Sequence, residues 1–205
     1  MDRVSHSVRR HYDLLAEEGN DPVTDPPCLR DYMDKWDGQT FFDALALTGK
    51  EDVLEIGVGT GRLAVRILPL CHSFCGMDLS EKSLDRARVH LSAVGTAFSL
   101  ICADFCSWET EKTFDVICSS LTFMHIQDKE RALRKTAYLL RPGGRLVLST
   151  DKNPAEELDY GSRKLQLYPD TPERIRAGIR EAGLLLTAEQ ETEFAVIYTA
   201  VKQNG

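Results

Sequence analysis

From residue 50 onward the chain alternates short apolar, β-branched runs with stretches of helical period. VLEI at 53–56 leads to RLAVRILPL at 62–70, and FCGM at 74–77 leads to SEKSLDRARVHL at 80–91. FSLI at 98–101 and DVICS at 115–119 follow, then KERALRKTAYLL at 129–140 and RLVLST at 145–150. Strands that are apolar throughout, rather than at alternate positions, belong to a parallel sheet covered on both faces. Their alternation with helices predicts an α/β, doubly wound architecture.

Local signals mark the ends of these elements. Ser80 suits a helix N-cap with Glu81 at the positive end. Arg141-Pro142-Gly143-Gly144 is expected to end a helix before the next strand. Thr171-Pro172-Glu173 opens, and Gly183 closes, a helix over 172–182. LLLTAEQE at 184–191 and FAVIYTAVK at 194–202 lie too close together for a helical crossover, so they are predicted to pair antiparallel. The first 49 residues read as helices over 5–18, 28–36 and 39–48, interrupted by the turn-rich GNDPVTDPP at 19–27 and by Asp37-Gly38. Residues 151–170 show no clear period.

Composition narrows the class. A length of 205 residues with 42% hydrophobic and 28% charged content fits one globular domain, 1–205. The net charge of −7 argues against a surface built to neutralise a phosphate backbone, so no nucleic-acid partner is expected. No apolar run approaches the roughly 18 residues of a membrane span, and the N-terminus is charged where a signal peptide would be apolar. A cytoplasmic monomer or weak homodimer with no membrane partner is expected. The six cysteines sit mostly inside apolar segments and read as buried free thiols; their C-x3-C spacings do not match a structural zinc site, so no metal is expected.

The chemistry concentrates at strand ends. Val53-Leu54-Glu55-Ile56 runs into Gly57, Gly59 and Gly61, and alternate glycines let a ligand lie against the backbone of a sharp strand-to-helix turn. The dinucleotide fingerprint G-x-G-x-x-G needs its third glycine at position 62, where Arg62 stands. Glu55 suits a ligand with a cationic or neutral end better than a phosphate. The next strand ends in Asp78-Leu79, and one carboxylate can accept from both hydroxyls of a ribose. The third ends near Asp104-Phe105, an acceptor for an exocyclic amine beside an aromatic ring.

The E-I-G-V-G-T-G run, the strand end at Asp78, the Asp104-Phe105 pair, F-D-V-I-C-S-S at 114–120 and R-P-G-G-R-L-V-L at 141–148 resemble the class I S-adenosylmethionine-dependent methyltransferases. The resemblance spans roughly 50–202, about three-quarters of the chain, and F-D-V-I-C-S-S-L-T-F-M-H-I is similar to the small-molecule, type 11-like branch. It implies a seven-stranded sheet in order 3-2-1-4-5-7-6 with strand 7 antiparallel, a 50–205 cofactor-binding core, and a helical lid from 1–49. It implies S-adenosyl-L-methionine as cofactor and a small-molecule methyl acceptor. Gly57, Gly59 and Gly61 would line the methionine moiety, with Glu55 beneath it; Asp78, beside Leu79, would hold the ribose. Asp104 and Phe105 would meet the adenine, and Ser119 would approach the sulfonium.

Methyl transfer from a sulfonium needs mainly positioning and desolvation of the acceptor. A protic acceptor would gain from a base, and His125 is the histidine on the active-site edge. Tyr12 is the candidate for closing the lid over the cofactor, and 151–170 for the other wall of the acceptor pocket. Ser119-Ser120-Leu121-Thr122 stands where nucleobase-methylating relatives carry N-P-P-Y. Two other readings stay open: a non-catalytic cofactor-binding or scaffold protein, since a fold does not establish turnover, and a nicotinamide-dependent oxidoreductase, which Arg62 disfavours.

Overall fold

The computed structural model describes residues 3–95 and 97–204. Three helices come first: α1 (Arg3–Glu17), α2 (Pro27–Met33) and α3 (Gly38–Leu45). Then follow β1 (Asp52–Ile56), α4 (Ala64–Ile67), β2 (Ser73–Asp78), α5 (Glu81–Ser92), β3 (Phe98–Cys102) and β4 (Phe114–Ser120). The chain continues through α6 (Lys129–Leu139), β5 (Leu140–Asp151), β6 (Glu157–Asp159), β7 (Lys164–Gln166), α7 (Pro172–Glu181), β8 (Leu184–Glu191) and β9 (Ala195–Lys202).

Seven strands form one sheet in the order β3-β2-β1-β4-β5-β9-β8, and β9 runs antiparallel to both neighbours. Since β6 and β7 pair only with each other, this is the predicted topology with the last two strands renumbered. Alternate strand residues feed two cores, as the pleat requires. Leu54, Ile117, Leu146 and Leu148 pack with Leu133, Ile175 and Ile179 of α6 and α7. Their neighbours Val53, Val116 and Val147 pack on the other face with Phe41, Ala64 and Leu84 of α3, α4 and α5.

The caps explain the boundaries. Ser83 N donates to Ser80 Oγ at 3.1 Å at the start of α5, and Arg131 N donates to Asp128 Oδ1 at 2.9 Å at the start of α6. The helix expected over 62–70 is shorter than its pattern: Pro69 offers no N–H, so α4 gives way to a 3-10 turn over Leu68–Leu70. Arg141-Pro142-Gly143-Gly144 is not a free turn but a bulge within β5, where the β4 partner jumps from Leu140 to Arg145. Arg141 fastens it, donating to Asp115 Oδ2 at 2.6 Å and Asp52 Oδ2 at 2.8 Å.

The cysteine expectation needs correction. Cys75 and Cys118 are buried, but Cys28 and Cys102 are exposed and Cys71 and Cys106 lie between; all six are free. Cys102 ends β3, the edge strand, which pairs only with β2 among the described residues.

The bulge gives a stability prediction. A Cβ at Gly144 would lie 2.9 Å from the Arg141 carbonyl oxygen and 3.0 Å from that of Asp115, both backbone. Gly144→Ala should therefore cost about 1–3 kcal/mol, seen as a melting temperature lower by roughly 2–4 °C per kcal/mol. An unchanged melting curve would show that the bulge relaxes freely.

Candidate functional site

The carboxyl ends of β1, β2 and β4 open into a cavity of about 1030 Å³. The turn after β1 builds its floor. Gly57 and Gly59 adopt φ of +78° and +55°, a region that only glycine enters without strain. Gly57 N and Val58 N both donate to the Met77 carbonyl, at 2.8 and 3.0 Å, which ties the turn to β2. A Cβ on Gly57 would collide with Thr122, whereas one on Gly59 would meet nothing within 4 Å and would project into the space a ligand can use.

Glu55 is buried at the end of β1, and its Oε2 has no hydrogen-bond partner among the described residues. Burial pushes its pKa up to about 8; Arg62 pulls the other way, while Asp37 and Asp78 reinforce the rise. Arg62 does not bond to it. Its guanidinium grips the fully buried Asp37 through both terminal nitrogens, one of them at 3.0 Å. Asp37 also accepts from Gly38 N and from Ser120 Oγ, each at 2.8 Å.

At the end of β2, Asp78 accepts from Gly59 N and Ser80 N, both at 2.9 Å, and burial raises its pKa against those bonds. Beyond β3, Asp104 accepts from Cys106 N and from Ser5 Oγ, both at 2.8 Å. Leu79 and Phe105 line the same side of the cavity.

His125 closes a 3-10 turn (Phe123–His125) after β4. Its Nε2 lies 2.8 Å from the Tyr12 hydroxyl and the rings meet edge to face, while Nδ1 is buried with no partner among the described residues. Burial, helped by His11 and Lys129, lowers the imidazole to about 4, so it is neutral at pH 7. Burial likewise raises the Tyr12 phenol, which stays protonated. Helix α1 reaches this point because Asp13 accepts from Ser80 Oγ at 2.7 Å, Lys82 pairs with Glu17, and Arg163 after β6 grips Glu18 at 2.7 and 2.8 Å.

The structure thus brings Glu55, Gly57, Gly59, Asp78, Leu79, Asp104, Phe105, Tyr12 and His125 to one cavity. Two expectations change. Ser119 is fully buried and donates to the Ile56 carbonyl at 2.9 Å inside the sheet; its neighbour Ser120 faces the cavity, because successive strand residues point to opposite sides. Gly61 turns toward Ala87 of α5, 3.7 Å from where its Cβ would lie, and serves helix packing. Asp37, Arg62, Ser120 and Ser5 were missed as site residues. The only sequence signals were the Asp37-Gly38 break and the arginine that spoils the dinucleotide fingerprint. Among the described residues no cluster of three or more His, Cys, Asp or Glu could hold a metal ion, and no helix is long and apolar enough to cross a membrane.

The donor set fits a ligand with an ammonium, a ribose and an adenine: an unpartnered buried carboxylate, a second carboxylate at the neighbouring strand end, and a third beside an aromatic ring. Comparisons agree. Residues 53–144 match the family described as a methyltransferase domain. The ubiquinone biosynthesis O-methyltransferase of Pseudomonas aeruginosa is 30% identical over 199 residues, covering 90% of this chain and 85% of that one. Among solved structures, the N-methyltransferase NodS of Bradyrhizobium japonicum, in complex with S-adenosyl-L-homocysteine, superposes with a TM-score of 0.73 at 18% identity over 99% of this chain and all of that one. The magnesium protoporphyrin IX methyltransferase of Synechocystis, with bound cofactor, gives 0.78 at 16% identity over 99% of each.

A carboxyl whose folded-state pKa is raised keeps a proton that the unfolded chain loses, so stability falls as pH climbs from 4.5 to about 8. Relative to wild type, Glu55→Gln should therefore gain up to about 4 kcal/mol of stability in the ligand-free protein between pH 4.5 and pH 8. Thermal unfolding at both pH values checks this, and an equal effect at the two would refute it.

Proposed function

The chain belongs to the class I S-adenosylmethionine-dependent methyltransferases, and we propose that it methylates a hydroxyl of a small acceptor, with His125 taking the proton. That it is a small-molecule methyltransferase follows from its family; the acceptor atom and the residue roles are the proposal. The observation that carries it is the neutral His125 imidazole bonded to Tyr12 in the same cavity as the unpartnered Glu55.

When bound, S-adenosylmethionine supplies a methyl group already activated on a sulfonium. Glu55 takes the amino-acid ammonium, losing its proton as it gains a cation, and the Gly57 and Gly59 backbone admits the methionine chain. Asp78 holds the ribose hydroxyls while keeping its bonds to Gly59 and Ser80. Asp104 accepts from the adenine amine, with Leu79 and Phe105 against the ring. Ser5, which donates to Asp104 in the structure, shares that carboxylate.

Residues 3–45 act as the lid and the β6–β7 segment as the second wall. Val8 and Tyr12 of α1 pack with Leu158, Leu165 and Leu167 and so exclude water from the acceptor. The acceptor hydroxyl would give its proton to the Tyr12 oxygen as the Tyr12 hydroxyl passes its own proton to His125 Nε2, and the imidazolium would then return a proton to solvent. Oxygen as the acceptor atom is supported by the name of the Pseudomonas aeruginosa relative. The charge of −7 supports a partner other than nucleic acid.

Two outcomes test this reading. Asp78→Ala should weaken S-adenosylmethionine binding by roughly 1–3 kcal/mol in calorimetry, and wild-type affinity would remove Asp78 from the site. A screen of phenols, alcohols and amines with S-adenosylhomocysteine detection should find hydroxyl acceptors. With the best of them, the acid limb of kcat/KM should fall near pH 4 and be absent in His125→Asn, whereas an unchanged profile in that variant would exclude His125 as base.

A further inference from the structure

Lys129, the first residue of α6, is 7% exposed at its side chain, and its ammonium is directed inward. Nζ donates to the carbonyls of Phe123 and Ile126, both at 2.8 Å, and of Tyr168 at 2.7 Å, and it lies 3.2 Å from Oδ1 of the equally buried Asp170. An ammonium has three protons, and three carbonyls take them. Lys129 therefore has nothing left to offer a substrate, although it borders the cavity.

The carbonyls it holds are informative. Phe123 and Ile126 bracket the 3-10 turn that carries His125, and Tyr168 also donates its own N–H to the Met124 carbonyl at 2.7 Å. A buried ion pair is weak support for stability, since apolar side chains of similar size do as well; where one occurs, its best-attested contribution is fixing a particular arrangement. Burial pushes the lysine pKa down and that of Asp170 up, and each partner holds the other charged.

We propose that Lys129, paired with Asp170, is a positioning residue for the methyl transfer: it clamps both ends of the Phe123–His125 turn to the Tyr168 carbonyl and so fixes the His125 imidazole against Tyr12. The proposal rests on His125 being the group that serves the acceptor. It makes base orientation and docking of the segment after β7 one event, because the same ammonium serves both. Among the described residues, the titratable groups that act on the imidazole are Tyr12 of α1, bonded to Nε2, His11 of α1 and Lys129 of α6, with Asp170 facing Lys129.

The test needs no acceptor. In full-length protein, side-chain nitrogen NMR of His125 is followed from pH 4 to 8 in wild type, Lys129→Met, Lys129→Arg and Asp170→Asn, with S-adenosylhomocysteine affinity measured beside it. Wild type should show one neutral tautomer above pH 5. Lys129→Met should show tautomer averaging and a higher pKa, because a nearby cation is gone, with cofactor affinity within about threefold. Lys129→Arg should restore the single tautomer. Should Lys129→Met fail to fold, Asp170→Asn decides on the tautomer alone: it should show partial averaging with no rise in pKa, because the Lys129 cation stays. A wild-type His125 spectrum in the folded variant overturns the proposal. If instead His125→Asn turns over hydroxyl acceptors at the wild-type rate, the base assignment fails and the NMR result stands apart from it.

Discussion

Leaving a buried carboxyl group without a hydrogen bond costs about 1–3 kcal/mol even when it is protonated, and a fold tolerates this only where something else is gained. Glu55 is such a group, at the end of the central parallel strand. Its obvious cationic partner stands nearby, yet Asp37 holds Arg62 through both guanidinium ends and leaves Glu55 alone. The same Asp37 takes the Ser120 hydroxyl and the Gly38 amide, so neither reaches Glu55, whose Oε2 has no partner among the described residues. In the proposed reading, Asp37 keeps the resident cation occupied and leaves Glu55 to a bound one.

This explains why the N-terminal helices and the sheet cannot be treated separately. Asp37 belongs to the segment before α3, Arg62 to the glycine-rich turn and Ser120 to β4, so three distant stretches meet in one bonded group. Further along the same edge, α1 repeats the pattern with Ser5 on Asp104, Asp13 on Ser80 and Tyr12 on His125. The ends of β2, β3 and β4 thus each have a polar contact from the N-terminal segment.

Much of the sheet was legible because its strands are uniformly apolar and its helix starts carry local caps such as Ser80 and Thr171, whose signals extend over only a few residues. The glycine-rich turn and the acids at 78 and 104 were legible for the same reason: each lies at a predictable strand end. The failures share a cause. Ser119 and Ser120 are one residue apart, and only the register with β1 decides which faces the cavity. Asp37 looked like a break because its partners are 25 and 83 residues away. The β6 and β7 strands, three residues each, are too short to display a period. Lys129 carries no local signal of its burial, since nothing in the neighbouring sequence foretells three carbonyls converging on its ammonium.

Burial holds the Glu55 carboxyl protonated, with its pKa at about 8, until a bound ammonium ionises it in the proposed reading. Titration calorimetry with S-adenosylhomocysteine at pH 7, in buffers of different ionisation enthalpy, measures this as proton release on binding. The account predicts release of nearly one proton per site in the wild type, lost in Glu55→Gln together with most of the affinity. Tight binding with a heat independent of buffer in the wild type would contradict it.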